Sequence, residues 1–125
     1  MKKILAEISL GELADKLTIL EIKLEKIADK ESIKIIKKEH QSLQNIKLDG
    51  IDKRKYQLLF NELRSVNEKL WDIENEKRLS EKKNDFGPKF IELARNVYKF
   101  NDERAKIKLK INQTLGSNIK EVKSH

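Results

Sequence analysis

Two groups of polar side chains in this sequence have the types and spacing to do chemistry. Asn67, Trp71, Glu74, Arg78 and Glu81 recur at steps of four and three, which places them on one face of a helix. Further on, Arg95, Tyr98, Asn101 and Arg104 follow one another at steps of three. If the two stretches are antiparallel neighbours turning near Phe86, Glu74 lies level with Tyr98, Trp71 with Asn101, and Asn67 with Arg104. Such a polar seam holds the parts of an anion site. Arg78, Arg95 or Arg104 could grip an oxyanion while Asp72, Glu74 or Glu81 manages protons or a metal. The plainer reading is favoured: a hydrogen-bond network that fixes helix register, with Trp71 donating its indole N–H and Arg104, Asn101 and Glu74 pairing with one another. The second group is Asp15, Glu21 and Glu25. Glu21 and Glu25 stand one helical turn apart and could hold a cation, although such pairs are usually solvated or neutralised by lysine. His40 falls between Ile36 and Leu43 on an apolar stripe, and it reads as a boundary histidine with one satisfied nitrogen rather than a proton-transfer group. Neither a metal site nor a cofactor is expected.

Helices must position these groups. Ser9-Leu10-Gly11-Glu12 matches a capping box, with Ile8 and Leu13 as its apolar staple. Leu10, Leu13, Leu17, Leu20, Leu24 and Ile27 then continue as a heptad stripe. Asp29 or Ser32 caps a second helix reaching about Lys47, whose inner face is Ile33, Ile36, Leu43 and Ile46. Gly50 permits a turn, and Asp52 can cap the third helix. That helix carries the stripe Tyr56, Leu59, Leu63, Val66, Leu70 and Ile73 and ends near Lys83. Asn84-Asp85-Phe86-Gly87-Pro88 breaks it, and proline restarts a fourth helix that runs to Leu115 and stops at Gly116. The fourth helix's stripe is Phe90, Ala94, Val97, Asn101, Arg104, Lys108, Ile111 and Leu115, apolar at its ends and polar at its centre. Ile119 and Val122 lie in a tail that is either loose or packed in extended form against Ile4 to Ile8.

The expected fold is therefore all-α, one domain over residues 1–125. It is an antiparallel helical hairpin or bundle of about four helices, two of them long, with short extended termini. The apolar faces of the first and fourth helices are wider than one hairpin can cover, which predicts a homodimer. The sequence has no cysteine, which excludes disulfides and thiolate sites. Its start lacks the apolar core of a signal peptide, and no run is long enough to span a membrane, so a cytoplasmic location is expected. The net charge of +7 raises the prior for nucleic acid. Acids alternate with bases along nearly every helix, however, as in EIKLEKIADKE, which spreads the excess and disfavours a polyanion-binding face.

SLGELADKLTILEIKLEKI, VNEKLWDIENEKRLSE, FIELARNVYKFNDERAKIKLKIN and GSNIKEVKS together resemble a family of small all-helical bacterial and phage proteins, a domain of unknown function. The likeness covers nearly the whole chain. It implies a loose association with cell-surface polysaccharide gene neighbourhoods, and it marks Gly11, Glu12, Asp15, Lys16, Glu21, Asn67, Trp71, Asp72, Glu81, Arg95, Tyr98, Asn101 and Arg104 as recurring polar positions. It carries no catalytic assignment. All-α nucleotide pyrophosphohydrolases need an ExxE and a later ExxD, whereas here Glu12-x-x-Asp15 comes first and Glu21 to Glu25 has one residue too many. The reading is an interaction or accessory module acting through protein–protein contacts. The alternatives, in order, are a small enzyme or ligand-binding protein using the seam, and a non-specific nucleic-acid binder.

Overall fold

The computed structural model describes residues 2–116. Four helices follow one another: α1 (Leu10–Lys26), α2 (Lys30–Gln44), α3 (Lys53–Lys82) and α4 (Pro88–Leu115). Each start has a local cause. Ser9, Asp29 and Asp52 accept hydrogen bonds from the backbone N–H groups of Glu12, Ser32 and Lys55, satisfying donors that a helix start leaves unpaired. Pro88 opens α4, where its missing N–H costs nothing. α3 closes through Asn84 at φ 53°, with the Asp85 N–H donating to the Ser80 carbonyl at 2.8 Å. α4 closes at Gly116 in the left-handed region, φ 74°. α2 ends three residues before the expected Lys47, because Leu43 and Gln41 carbonyls are capped by Asn45 N–H there.

Short connections make the helices alternate in direction, so α1 and α3 run one way and α2 and α4 the other. α3 and α4 form a long hairpin, and α1 lies in the groove between them. α2 packs on the outer side of α1, and its backbone stays clear of both long helices. This makes α1 the central element. It is buried on nearly every side, through Leu13, Ala14, Leu17, Leu20 and Ile22 but also through Gly11, Asp15 and Thr18. The apolar centre joins Leu13, Ala14 and Leu17 to Leu59, Phe60 and Leu63 of α3 and Ile111 of α4.

At 17 residues against 30 and 28, α1 is roughly 25 Å long and spans about half of the hairpin. Past Ile73 no residue of α3 is buried. There the tip is a pair of helices alone. The inner face of α4 also differs from the expected stripe. Leu93, Ile111 and Asn112 are buried and Phe100 lies under Lys69, whose Nζ is 5.3 Å from the ring centroid, while Ala94 and Asn101 face outward. The helix is rotated because its deepest contact is made by α1, at Gly11 and Asn112, rather than by α3. Residues 2–9 are non-helical, with Ile4 and Leu5 more than nine-tenths exposed. The expected packing of Ile119 and Val122 on this segment lies outside the described residues.

Gly11 sets how closely α1 and α4 approach. A Cβ there would stand 2.5 Å from the Lys108 carbonyl oxygen and 2.9 Å from Asn112 Oδ1, and a backbone carbonyl cannot step aside as a side chain can. Gly11→Ala should therefore lower the unfolding free energy by about 1–3 kcal/mol through overpacking, measured by urea denaturation. An unchanged midpoint would mean that the helices separate at no cost.

Candidate functional site

The polar residues that meet inside the bundle are Asp15 and Thr18 from α1, Asn67 from α3, and Arg104 and Lys108 from α4. Asp15 is 1 % exposed. Its Oδ1 accepts from Arg104 Nε at 2.9 Å and from Asn67 Nδ2 at 2.9 Å, and its Oδ2 accepts from the second arm of the guanidinium. This is the planar two-point pairing that arginine makes with a carboxylate. Asn67 Nδ2 also donates to Thr18 Oγ1 at 2.8 Å, and the Thr18 hydroxyl donates to the Asp15 carbonyl at 2.7 Å. Lys108 Nζ stands 2.7 Å from Glu12 and 3.9 Å from Asp15. Two acids face two bases, so the cluster is neutral as a whole. Above it the Gly11 N–H donates to Asn112 Oδ1 at 2.7 Å, so a second side chain of α4 holds the first turn of α1.

Burial alone would push the Asp15 carboxyl up. The hydrogen bonds from Arg104 and Asn67, with the charges of Arg104 and Lys108, outweigh it and hold the group below its ordinary value. Asp15 is therefore a carboxylate across the physiological range and is not a proton donor.

The seam expected from sequence is only partly assembled. Asn67 and Arg104 do meet, through Asp15 rather than directly. Glu74 lies 3.8 Å from Lys77 on its own helix, and Asn101 faces outward, so the expected pairing of Arg104 with Asn101 and Glu74 does not form. Asp72 turns to the other flank, 4.0 Å from Lys26. Arg78 and Glu81 are exposed past the end of α1, and Arg95 and Tyr98 lie on the outer face of α4. A cleft of about 210 Å³ remains beside the network, walled by Ile19, Ile22, Leu70 and Trp71 and edged by Glu74, Arg78 and Arg104.

The second cluster divides as well. Asp15 turns inward, while Glu21 and Glu25 share Arg64: Glu25 pairs with its Nη2, and Glu21 lies 3.4 Å from its Nε. His40 Nε2 lies 3.7 Å from Glu21. Among the described residues, no group of three or more histidines, cysteines or acids could hold a metal ion, and no helix is long and apolar enough to cross a membrane.

Gly11, Thr18, Lys108 and Asn112 were not singled out as members of one site by sequence reasoning. The signal was present, because Gly11, Asp15, Thr18 and Ile22 recur at steps of four, three and four, a second stripe on α1 beside its leucine heptads.

The fold and this cluster define an all-α bundle whose central helix is held between two long ones by an ion pair with a buried carboxylate. The chain belongs to a family of unknown function, DUF6165, whose model matches residues 3–125. No curated protein matches the chain, and no solved structure matches it.

Because the folded pKa of Asp15 lies below its unfolded value, its stabilising contribution is complete above about pH 5 and is lost as pH falls through the folded pKa. Asp15→Asn should lower stability at neutral pH and flatten the decline below about pH 4, read from urea midpoints across the acid range. Parallel profiles for the two proteins would show that Asp15 does not couple to folding.

Proposed function

We propose that the protein is a helical interaction module that works through protein–protein contacts, and that its first partner is a second copy of itself. One observation carries this reading. The charged groups of the seam that reach the interior are consumed by one another, so they hold the bundle together, whereas the outer face of α4 presents Ile91, Ala94 and Tyr98 exposed beside Phe90, which the Phe86 ring meets edge-on at 5.2 Å. Ile91 is 49 % and Tyr98 75 % exposed. Contiguous exposed apolar side chains on a water-facing helix are a contact surface more often than an accident.

Self-association follows from the order of residues on that face. Ala94 lies between Phe90 and Ile91 on one side and Tyr98 on the other. Two such helices crossing antiparallel at Ala94 place the small residue where the backbones come closest, and each Phe90 level with the partner's Tyr98, with Ile91 one residue away. A face that is complementary to itself in shape gives a closed pair. The bacterial or phage origin, the cell-surface polysaccharide setting and the cytoplasmic location belong to this proposal as well.

Sedimentation velocity over a wide concentration range should show a dimer that Ile91→Asp and Tyr98→Asp convert to monomer with helicity unchanged. A monomer at every concentration, or a dimer indifferent to both substitutions, would overturn the self-association.

The cleft beside Trp71 favours a second reading, a small anionic ligand held by Arg78 against the indole and the apolar wall of Ile19, Ile22 and Leu70. Its test is a thermal-shift screen of phosphorylated metabolites and nucleotides. It requires a stabilising compound whose effect disappears in Arg78→Ala, a change at an exposed residue that leaves the unliganded melting temperature in place.

A further inference from the structure

α2 rests on α1 without touching the backbone of α3, and this leaves a groove on the side of the molecule away from the outer face of α4. Its floor is Leu13 and Leu17 of α1, its walls are Leu43 of α2 and Phe60 of α3, and its volume is about 240 Å³. Polar groups also line it, Tyr56, Arg64 and Glu21 together with Gln44, Gln57 and Asn61. Two buried atoms of that lining make no hydrogen bond, Tyr56 Oη and Arg64 Nε, and neither does His40 Nε2 on the other side of Glu21. Buried donors without partners are rare in folded proteins, and each costs free energy. Here Arg64 Nε and His40 Nε2 both face one carboxylate. Glu21 stands 3.4 Å from Arg64 Nε and 3.7 Å from His40 Nε2, near enough for charge attraction and too far or misaligned for hydrogen bonds.

We infer that this groove is a binding site for a small uncharged molecule with an apolar body and a hydroxyl or primary amide at one end. The unpartnered groups select that chemistry. Arg64 Nε–H and the Tyr56 O–H need an acceptor, while Glu21 needs a donor, and a hydroxyl or amide is both at once. A carboxylate would satisfy the donors but meet Glu21 as a like charge. An ammonium would satisfy Glu21 and leave the donors stranded beside a second cation. Tyr56 keeps its proton for this role, since burial first and then the charge of Glu21 push its pKa up. The space corresponds to about eight waters at roughly 30 Å³ each, which is the size of a single substituted ring lying against Phe60 and the leucines. Nothing in this inference depends on the outer face of α4 or on the cleft beside Trp71.

Benzyl alcohol tests the inference against three isosteres: ethylbenzene, which lacks the hydroxyl, and benzoate and benzylamine, which carry charge. In amide-resolved NMR titrations, benzyl alcohol should give saturable shifts confined to the groove, at Leu13, Leu17, Leu43, Phe60 and Arg64. The three isosteres should bind at least about ten-fold more weakly, as expected when a buried polar group is left unpaired. Tyr56→Phe removes one hydroxyl and keeps the ring, and it should weaken benzyl alcohol several-fold with a native-like spectrum. Arg64→Lys, which keeps the charge and removes the Nε–H, should do the same. Absence of saturable shifts with benzyl alcohol would overturn the inference. So would ethylbenzene binding as well as the alcohol, benzoate or benzylamine binding better, or full affinity in both variants.

Discussion

The structure depends on a carboxylate taken out of water. Asp15 sits in the second turn of the central helix with about 1 % of its surface exposed, where a lone charge would cost several kcal/mol. It is tolerable only if an arginine reaches it with both arms and an amide fills the remaining lone pair. Arg104 and Asn67 do so from two different helices, which ties α1, α3 and α4 together at one level. Apolar packing between leucine stripes is permissive about register, since a shift of one heptad replaces leucine with leucine. The ion pair is not permissive, because any shift strands a charge. Gly11 adds the third constraint, bringing α1 against the Lys108 carbonyl so that Asn112 can accept the Gly11 N–H.

Much of the architecture was legible in the residue order, and the parts that were not have physical reasons. The start of α4 at Pro88, its stop at Gly116 and the caps at Ser9, Asp29 and Asp52 come from local chemistry that a few residues specify by themselves. The buried stripe of α3, from Leu59 to Ile73, follows from spacing alone. Antiparallel register also placed Asn67 level with Arg104. What sequence could not supply was which face of each helix a third helix would cover. A hairpin of α3 and α4 makes Glu74 and Asn101 natural partners for Arg104, but α1 enters the groove and supplies a better one in Asp15. Asp15 was grouped with Glu21 and Glu25 because all three lie off the leucine stripe. Only the tertiary arrangement separates them, sending Asp15 inward and Glu21 and Glu25 to Arg64. The same entry of α1 turns α4, which is why Ala94 and Tyr98 face outward.

Packing is thereby unevenly distributed along the molecule. Charges that looked reactive in sequence are used internally over the half of the hairpin that α1 covers. Beyond Ile73 the long helices continue without a third layer, and that length contributes little to the core. Leu79, Phe86 and Ile91 are exposed on that half, while Leu58 is exposed at the other end of α3. At the other flank, α2 stays off α3 and leaves Tyr56, Arg64 and His40 short of partners. One helix set in a groove therefore accounts for the locked centre, the bare tip and the open flank.

The central claim, that the Asp15–Arg104 pair is a structural lock, is tested most directly by a double-mutant cycle with leucine at each position, read by chemical denaturation. Each single change should cost about 2–4 kcal/mol, somewhat less than for a fully buried pair because the Arg104 side chain is 31 % exposed. The double variant should regain most of that loss, because neither leucine leaves a charge behind, giving a coupling of about 2 kcal/mol or more. Losses that simply add, or an Arg104→Leu protein as stable as the wild type, would contradict the account and return these residues to the list of groups kept for a ligand.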